Sequence, residues 1–544
     1  MRRIRTSLVA LSAITFLFAL FIYPGNSKSW ISYGESFYEK IQVFTTILET
    51  LQKNYVDERS ADELLEGAIS GMLARLDPHT NYLPPDNFKK WNQSFEGYTG
   101  VGILFDIVGQ YPIITGFISD SPAEKSGLEA SDVIVKINGQ STKGLKAEDI
   151  TDRIVQSPFP NVTFTVYSRS TAKTQKVTIK RTHIDVESIP GAYMLDQEIG
   201  YIHLERFSGS TASELDQRLE QLLAQGMEYL ILDMRDNGGG YLSAAVEVAD
   251  RFLPQDRLIL FTKGRHSYSY QEFRAILSTN YEALPIAILI NHGTASAAEI
   301  VAGALQDWDR AVVVGTTSFG KGLVQSQYRF RDGSALLITT ARYYTPLGRL
   351  IQRDYQDLSK DEYYADAYTK APYWENPEDE SSHKIFKTLK GRTVYEGGGI
   401  SPDFWVTNEH AEISDELRAL YLDDNRFFYQ FAMGLLSKYP EFKKIDPRQS
   451  AFLQITAEQL NGFKALLAKA EYPMDAYAFE ANKDDIAFLI QRDVAYLLAG
   501  DEGKFHVNYL RDIQLQVAAK KRSAAARLIS HEPLVDANHS RKGQ

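Results

Sequence analysis

Ile286-Ala-Ile-Leu-Ile-Asn-His-Gly-Thr-Ala-Ser-Ala-Ala-Glu-Ile300, followed by Ala311-Val-Val-Val-Gly-Thr-Thr-Ser-Phe-Gly-Lys-Gly-Leu-Val-Gln325, is the stretch on which the reading of this chain turns. Residues 285–290 form a continuous apolar run, which predicts a buried strand. It stops in a turn of small residues and restarts as a helix carrying Ser296 in its first turn. The second half repeats the arrangement, with a strand over 311–314, a Gly-bounded turn, and Lys321 between Gly320 and Gly322. A hydroxyl and an amine, each on a turn after a strand, predict a nucleophile and its base.

A serine hydroxyl is unreactive near neutral pH unless a neighbouring base takes its proton. His292, Glu299 and Lys321 are the candidates near Ser296 in the sequence. His292 belongs to the strand end and Ser296 to the helix start, so helical proximity does not join them. Glu299 fits a cap partner in the first helical turn. Lys321 needs desolvation to leave its amine neutral, and Val312, Val313, Val314, Phe319, Leu323 and Val324 supply an apolar setting. Lysine is the best base of the three, although a serine at a helix start also reads as an N-cap and a lysine after Gly as a surface charge.

Working outward, residues 229–234 read as a buried strand that runs into Arg235-Asp-Asn-Gly-Gly-Gly240 and then a helix from 242 to 252. Backbone N–H groups at such a strand-to-helix junction can face an anion. No Gly-Lys-Ser/Thr follows, so an oxyanion site fits better than a phosphate loop. Together, residues 182–350 predict an α/β unit.

Further towards the N-terminus, strands at 100–108 and 111–117, a short helix at 121–127, a strand at 132–137 entering Asn138-Gly139, a helix at 147–155 and strands at 162–168 and 175–180 follow one another. With its Gly100-Val101-Gly102-Ile103 loop, this order resembles a PDZ domain over 97–181. The resemblance implies that the loop's N–H groups hold a peptide's terminal carboxylate while the peptide extends the sheet. Before it, Phe37, Ile41, Phe44, Leu48 and Leu51, and then Leu65, Ile69, Met72, Leu73 and Leu76, lie at helical spacing and predict two amphipathic helices.

Beyond Ile351 the pattern loosens into a polar, aromatic insertion at 353–395, read as solvated, with an acidic loop at 375–382. From Ser414 onward the period is helical, and from Lys520 the chain is expected to fray.

The 544 residues exceed what one core fills. A net charge of −11 and a pI near 5.5 argue against a nucleic-acid partner. Cysteine is absent, which rules out disulfides, a thiol nucleophile and Cys-ligated metal. Arg2, Arg3 and Arg5 flank an uncharged apolar run at 8–23. This predicts a membrane anchor, or a signal segment, with the remainder translocated to the periplasm or outside the cell membrane.

Three motifs, Asn291-x-Gly-Thr-Ala-Ser-Ala-x-Glu-Ile, Ser318-Phe-Gly-Lys-Gly-x-Val-Gln and Asp233-x-Arg-x-Asn-x-Gly-Gly, resemble the signatures of the carboxyl-terminal processing peptidases, or tail-specific proteases. The likeness runs from about residue 36 to 405 and includes Asp77-Pro-His-Thr80. It implies a multidomain α/β and β fold: an anchor at 1–27, N-terminal helices at 28–96, a PDZ domain at 97–181, a crotonase-like protease core at 182–410 and a helical region at 411–544. It further implies a Ser-Lys endopeptidase acting on proteins with apolar C-termini. Ser296 would be the nucleophile, Lys321 the base and Gln325 its support, with Ala297 and Gly239 or Gly240 as backbone oxyanion donors. No cofactor or metal is expected. The expected partners are protein substrates, the membrane through the N-terminal segment, and an adaptor or a second copy through the C-terminal helices. Two rivals are a non-catalytic PDZ scaffold and an acyl-CoA enzyme, the latter with no CoA-binding feature to support it.

Overall fold

A computed structural model describes residues 27–118, 120–168, 171–369, 384–407, 414–423, 425–439, 441–442 and 453–529. The apolar run at 8–23, the acidic loop at 375–382 and the last residues from 530 lie outside them. No helix among the described residues is long and apolar enough to cross a membrane.

The chain forms two compact units, divided after Asp77. In the first, helices α1 (Ser27–Asn54) and α2 (Ala61–Leu73) appear where the spacing of apolar residues predicts them. Ser60 caps α2 by accepting the Glu63 N–H at 3.1 Å. The apolar stripe of α1 stays open to solvent, with Phe37 57% exposed.

Residues 78–96, counted above with the N-terminal helices, belong to the second unit. Here β1 (Asn81–Leu83) pairs with β18 (Ala335–Tyr344), and α3 (Pro85–Glu96) sends Phe95 against Tyr241. After α3, β2 (Tyr98–Gly100) pairs with β9 (Thr182–Ile184), which clips together the two ends of a smaller sheet. That sheet has the order β3 (Ile103–Val108), β4 (Tyr111–Phe117), β5 (Val133–Ile137), β7 (Asn161–Ser168), β8 (Lys173–Lys180), with β6 (Gln140–Ser141) on β5. Ile150 and Ile154 of α4 (Ala147–Val155) enter its core beside Val101, Ile114 and Phe164. β3 is an edge strand, with its outer side unpaired among the described residues.

The central sheet has the order β10 (Gly191–Met194), β11 (Ile199–His203), β12 (Tyr229–Asp233), β15 (Ile286–Ile290), β16 (Val312–Gly315), β21 (Phe404–Trp405). Only the β10–β11 pair is antiparallel. A parallel sheet must be covered on both faces. One face packs on α5 (Thr211–Ala224), α6 (Leu242–Asp250) and α7 (Ala297–Asp307) through Leu219, Val248 and Val301. Beside these helices lies a second sheet of β13 (Leu258–Gly264), β14 (Gln271–Arg274), β17 (Leu323–Arg329), β18 and β1.

Two expectations for the C-terminal half are corrected. The segment 353–395 is not simply solvated. Helix α8 (Lys360–Thr369) buries Tyr363 completely, and the hairpin β19 (Ile385–Lys387)–β20 (Thr393–Tyr395) anchors on Asp309, which accepts from Thr388 Oγ1 at 2.8 Å and Arg392 Nε at 2.7 Å. The chain beyond Lys520 does not fray at once. After α9 (Asp415–Leu422), α10 (Phe427–Lys438), α11 (Ala457–Lys469), α12 (Ala476–Ala481) and α13 (Lys483–Tyr509), helices α14 (Ile513–Ala519) and α15 (Arg522–Ile529) cover the other face of the central sheet. Leu515, Ala518, Ala525 and Leu528 pack on Ile231, Leu289 and Val314. Each buried leucine is worth about 1.5–3 kcal/mol. Charged residues at 520–522 hid this docking from a composition-based reading.

Candidate active site

Ser296 stands between β15 and α7 with φ 56° and ψ −114°, a conformation that non-glycine residues avoid. This sharp strand-to-helix turn lifts the hydroxyl out of the helix surface, and Ala297 opens α7 with an N–H that has no intrahelical acceptor. The turn is locked to the Gly-rich loop after β12. Thr294 Oγ1 donates to Met234 O at 2.7 Å, Ala295 N to Asn237 O at 2.9 Å, and Asp236 N to Asn291 Oδ1 at 2.9 Å.

Gly239 lies against the serine. A Cβ there would come within 2.8 Å of Ser296 Cβ, and φ of +98° also excludes a side chain. Its own N–H donates to Asn237 Oδ1 at 2.8 Å. Of the two glycines expected as oxyanion donors, Gly239 therefore has its amide committed, and Gly240 has no acceptor among the described residues.

The lysine loop is tied to the serine turn through one carboxylate. Glu299, fully buried on α7, accepts from Ser296 N at 2.8 Å, Ser318 Oγ at 2.6 Å, Gly320 N at 2.7 Å and Lys321 N at 2.8 Å. Burial raises its pKa above the usual glutamate value, opposed by these donors. Sequence alone gave Glu299 only the cap role, because the three contacts to 318–321 cross between distant segments.

Lys321 Nζ donates to Gln325 Oε1 at 2.7 Å, and Gln325 Nε2 donates to His79 O at 2.6 Å. Ser296, Ala297, Gly240, Lys321 and Gln325 line one cavity of about 350 Å³. Trp91 and Phe95 of α3, with Tyr241, Leu323 and Leu337, make its other walls apolar. Tyr343, fully buried beneath the cavity, donates from its hydroxyl to Ser296 O at 3.2 Å. His292 is not part of this cavity and instead lines a separate one of about 480 Å³ with His203 and Asn508.

Behind the Gly-rich loop, Arg235 bridges Asp233 and Asp512. Its Nε lies 2.9 Å from Asp233 Oδ1 and its Nη1 2.9 Å from Asp512 Oδ1, while Tyr201 Oη donates to Asp233 Oδ2 at 2.9 Å. Burial opposes the Asp233 charge, but Arg235 overcomes it and holds the carboxyl below its usual range. In the smaller domain, Gly102 has φ of +81°, and a Cβ there would fall 2.2 Å from Ser121 Cβ. The carbonyls of Val101 and Gly102 accept from Ala123 N at 2.9 Å and Ile118 N at 3.0 Å, which fixes the loop ahead of the edge strand carrying Ile103.

Sequence reasoning missed the parts played by His79, Asn237 and Gln352, whose amide oxygen accepts Gly322 N at 2.9 Å. The Asp77-Pro-His-Thr80 run was the only hint of the first.

Residues 198–361 match peptidase family S41, residues 89–167 the PDZ domain, and residues 26–86 the activating protease CtpB N-terminal domain. The carboxy-terminal-processing protease of Bartonella bacilliformis is 34% identical over 349 residues, covering 63% of this chain and 78% of that protein. A probable CtpA-like serine protease of Staphylococcus saprophyticus is 31% identical over 349 residues, covering 63% of this chain and 70% of that protein. The solved photosystem II D1 C-terminal processing protease is 26% identical, covering 71% of this chain and 98% of its own, with a TM-score of 0.34. With the family S41 and PDZ matches, and with the Bartonella and Staphylococcus proteins matched over 78% and 70% of their own length, the chain belongs to peptidase family S41, as a PDZ-containing serine protease of the carboxy-terminal-processing type.

Proposed function

We propose that this protease works with a Ser296–Lys321 dyad and selects proteins by an apolar C-terminus bound in its PDZ domain. Ser296 Oγ attacks the scissile carbonyl and its proton passes to Lys321 Nζ. That proton then goes to the leaving amine as the C–N bond breaks, leaving an acyl-enzyme. Water attacks the ester, again with Lys321 taking and returning a proton, and frees Ser296. The N–H groups of Ala297 and Gly240 hold the oxyanion, each donor contributing about 3 kcal/mol to barrier lowering. Gln325 orients the amine.

The observation that carries this reading is the shared cavity, which Ser296 and Lys321 both line while one buried carboxylate, Glu299, holds the backbone of both. For the tail, the unpaired edge of β3 behind the Gly100–Ile103 loop is suited to strand addition, with main-chain bonds supplying affinity. The basic flank and apolar run at 2–23 support an anchored enzyme whose catalytic part faces the periplasm.

Purified Ser296→Ala and Lys321→Ala proteins are expected to fold and to lose cleavage by about 10³-fold or more. Retained turnover by either would remove the dyad. A protein with an apolar tail should be cut faster than the same protein ending in two aspartates, and equal rates would remove PDZ selection. Protease accessibility in spheroplasts against intact cells tests the compartment.

A further inference from the structure

Helix α8 of the insertion at 353–395 packs on His79, whose carbonyl holds Gln325, a residue lining the catalytic cavity. Tyr363, fully buried on α8, places its hydroxyl 3.2 Å from His79 Nε2, and Tyr364 Oη lies 3.1 Å from His79 Nδ1. The His79 ring, itself only 3% exposed, meets Tyr363, Tyr364 and Phe319 edge-on at centroid distances of 5.3, 5.8 and 6.1 Å. The carbonyl of this same residue accepts Gln325 Nε2, and Gln325 accepts Lys321 Nζ. A second path leaves the same phenol. Gln352 Nε2 donates to Tyr363 Oη at 3.1 Å, while Gln352 Oε1 accepts the N–H of Gly322, next to the lysine. Arg353 closes the arrangement, with its guanidinium 4.2 Å from the Tyr363 ring centre and 4.7 Å from that of Phe319, and its backbone N–H donating to Gly320 O at 2.9 Å.

We propose that Tyr363 and Tyr364 of the insertion are positioning residues for the base, holding Lys321 through His79–Gln325 on one side and Gln352–Gly322 on the other. One proton assignment satisfies the network: Gln352 donates to the Tyr363 oxygen, Tyr363 donates to His79 Nε2, and His79 Nδ1–H donates to the Tyr364 oxygen. Burial pushes the Tyr363 hydroxyl up to about 12, so it stays a neutral donor across the working pH range. A lysine amine carries four rotatable bonds, and without a fixed acceptor its productive position is one among many. The clamp removes that freedom before substrate arrives, which is why it acts on turnover and not on binding.

The inference rests on Lys321 being the base, so Ser296→Ala and Lys321→Ala are run beside the test variants. The full-length Tyr363→Phe/Tyr364→Phe protein keeps both rings and loses both hydroxyls. Its kcat on a protein substrate is expected to fall about tenfold with KM within about twofold, and Tyr363→Leu, which also removes the ring, should be no better. A kcat within twofold of the parent, or a rise in KM at constant kcat, overturns the clamp. If the double variant does not fold, Tyr364→Phe alone is read by the same criteria. Inactive Ser296→Ala and Lys321→Ala with a fully active double variant would sink the clamp alone, whereas an active Lys321→Ala would sink the base assignment itself.

Discussion

At the scale of single residues, the site depends on positions with no freedom to vary. Gly239→Ala would drive a methyl into Ser296 Cβ and Ala295 O, at 2.8 and 2.9 Å, in a φ region alanine avoids. The expected result is a folded protein with kcat lowered by about 10²-fold, measured on a short peptide so that tail binding plays no part. Glu299 is more exacting, since both its oxygens only accept. Glu299→Gln turns an NH₂ towards N–H donors, so kcat is expected to fall by a similar factor of about 10². Stability should move differently with pH. A carboxyl whose folded pKa is raised contributes stability at low pH that is lost as pH climbs from the usual value of 4.5 through the raised one. Thermal melts of Glu299→Gln across that window should therefore be flatter than those of the parent. Asp233 has the opposite sign. Its folded pKa is lowered, so its contribution is full above the usual 3.8 and disappears as pH falls through the folded value. Asp233→Asn should flatten the acid limb of a stability profile.

Among elements, the decisive one is α14. Its N-cap Asp512 accepts the Leu515 N–H at 2.9 Å and also receives Arg235 Nη1 and Nη2 at 2.9 and 2.7 Å. Cap and ion pair are thus one carboxylate, and Arg235 sits at the head of the Gly-rich loop. Asp512→Ala is expected to cost about 3 kcal/mol in chemical denaturation, because a largely buried guanidinium loses one of two carboxylates. The edge strand β3 carries a separate expectation. Gly102→Val cannot keep its φ of +81° or clear Ser121, so affinity for an apolar-tailed peptide in fluorescence polarisation should fall while turnover of a short peptide is retained.

Over the whole molecule, the PDZ domain is braced by the C-terminal helices. Arg426 pairs with Asp106 of β3, and Tyr496 Oη donates to Thr115 O at 3.2 Å. The same region covers one face of the central sheet through Leu515, Ala518, Ala525 and Leu528. Ending the chain at residue 512 would strip that face, exposing Ile231, Leu289 and Val314. Such a protein is expected to be recovered as aggregate or to unfold well below the parent in a thermal scan, and a soluble truncation with the parent's melting temperature would refute this.

The sequence alone determined the parts whose signals are local. Strand-turn-helix patterning delivered the turn at Ser296, the Gly-bounded loop at Lys321, the PDZ strand order and the family motifs, because short-range periodicity and turn chemistry act within a few residues. The tertiary structure decided what depends on faces meeting across the chain. It chose which glycine amide stays free, through Asn237. It turned Glu299 from a cap into the tie between two loops, brought His79 to Tyr363 across 284 positions, and docked a charged, alanine-rich tail on the sheet. Those choices follow from the need to cover both faces of a parallel sheet and to pair every buried polar group, and neither demand is written in any one segment.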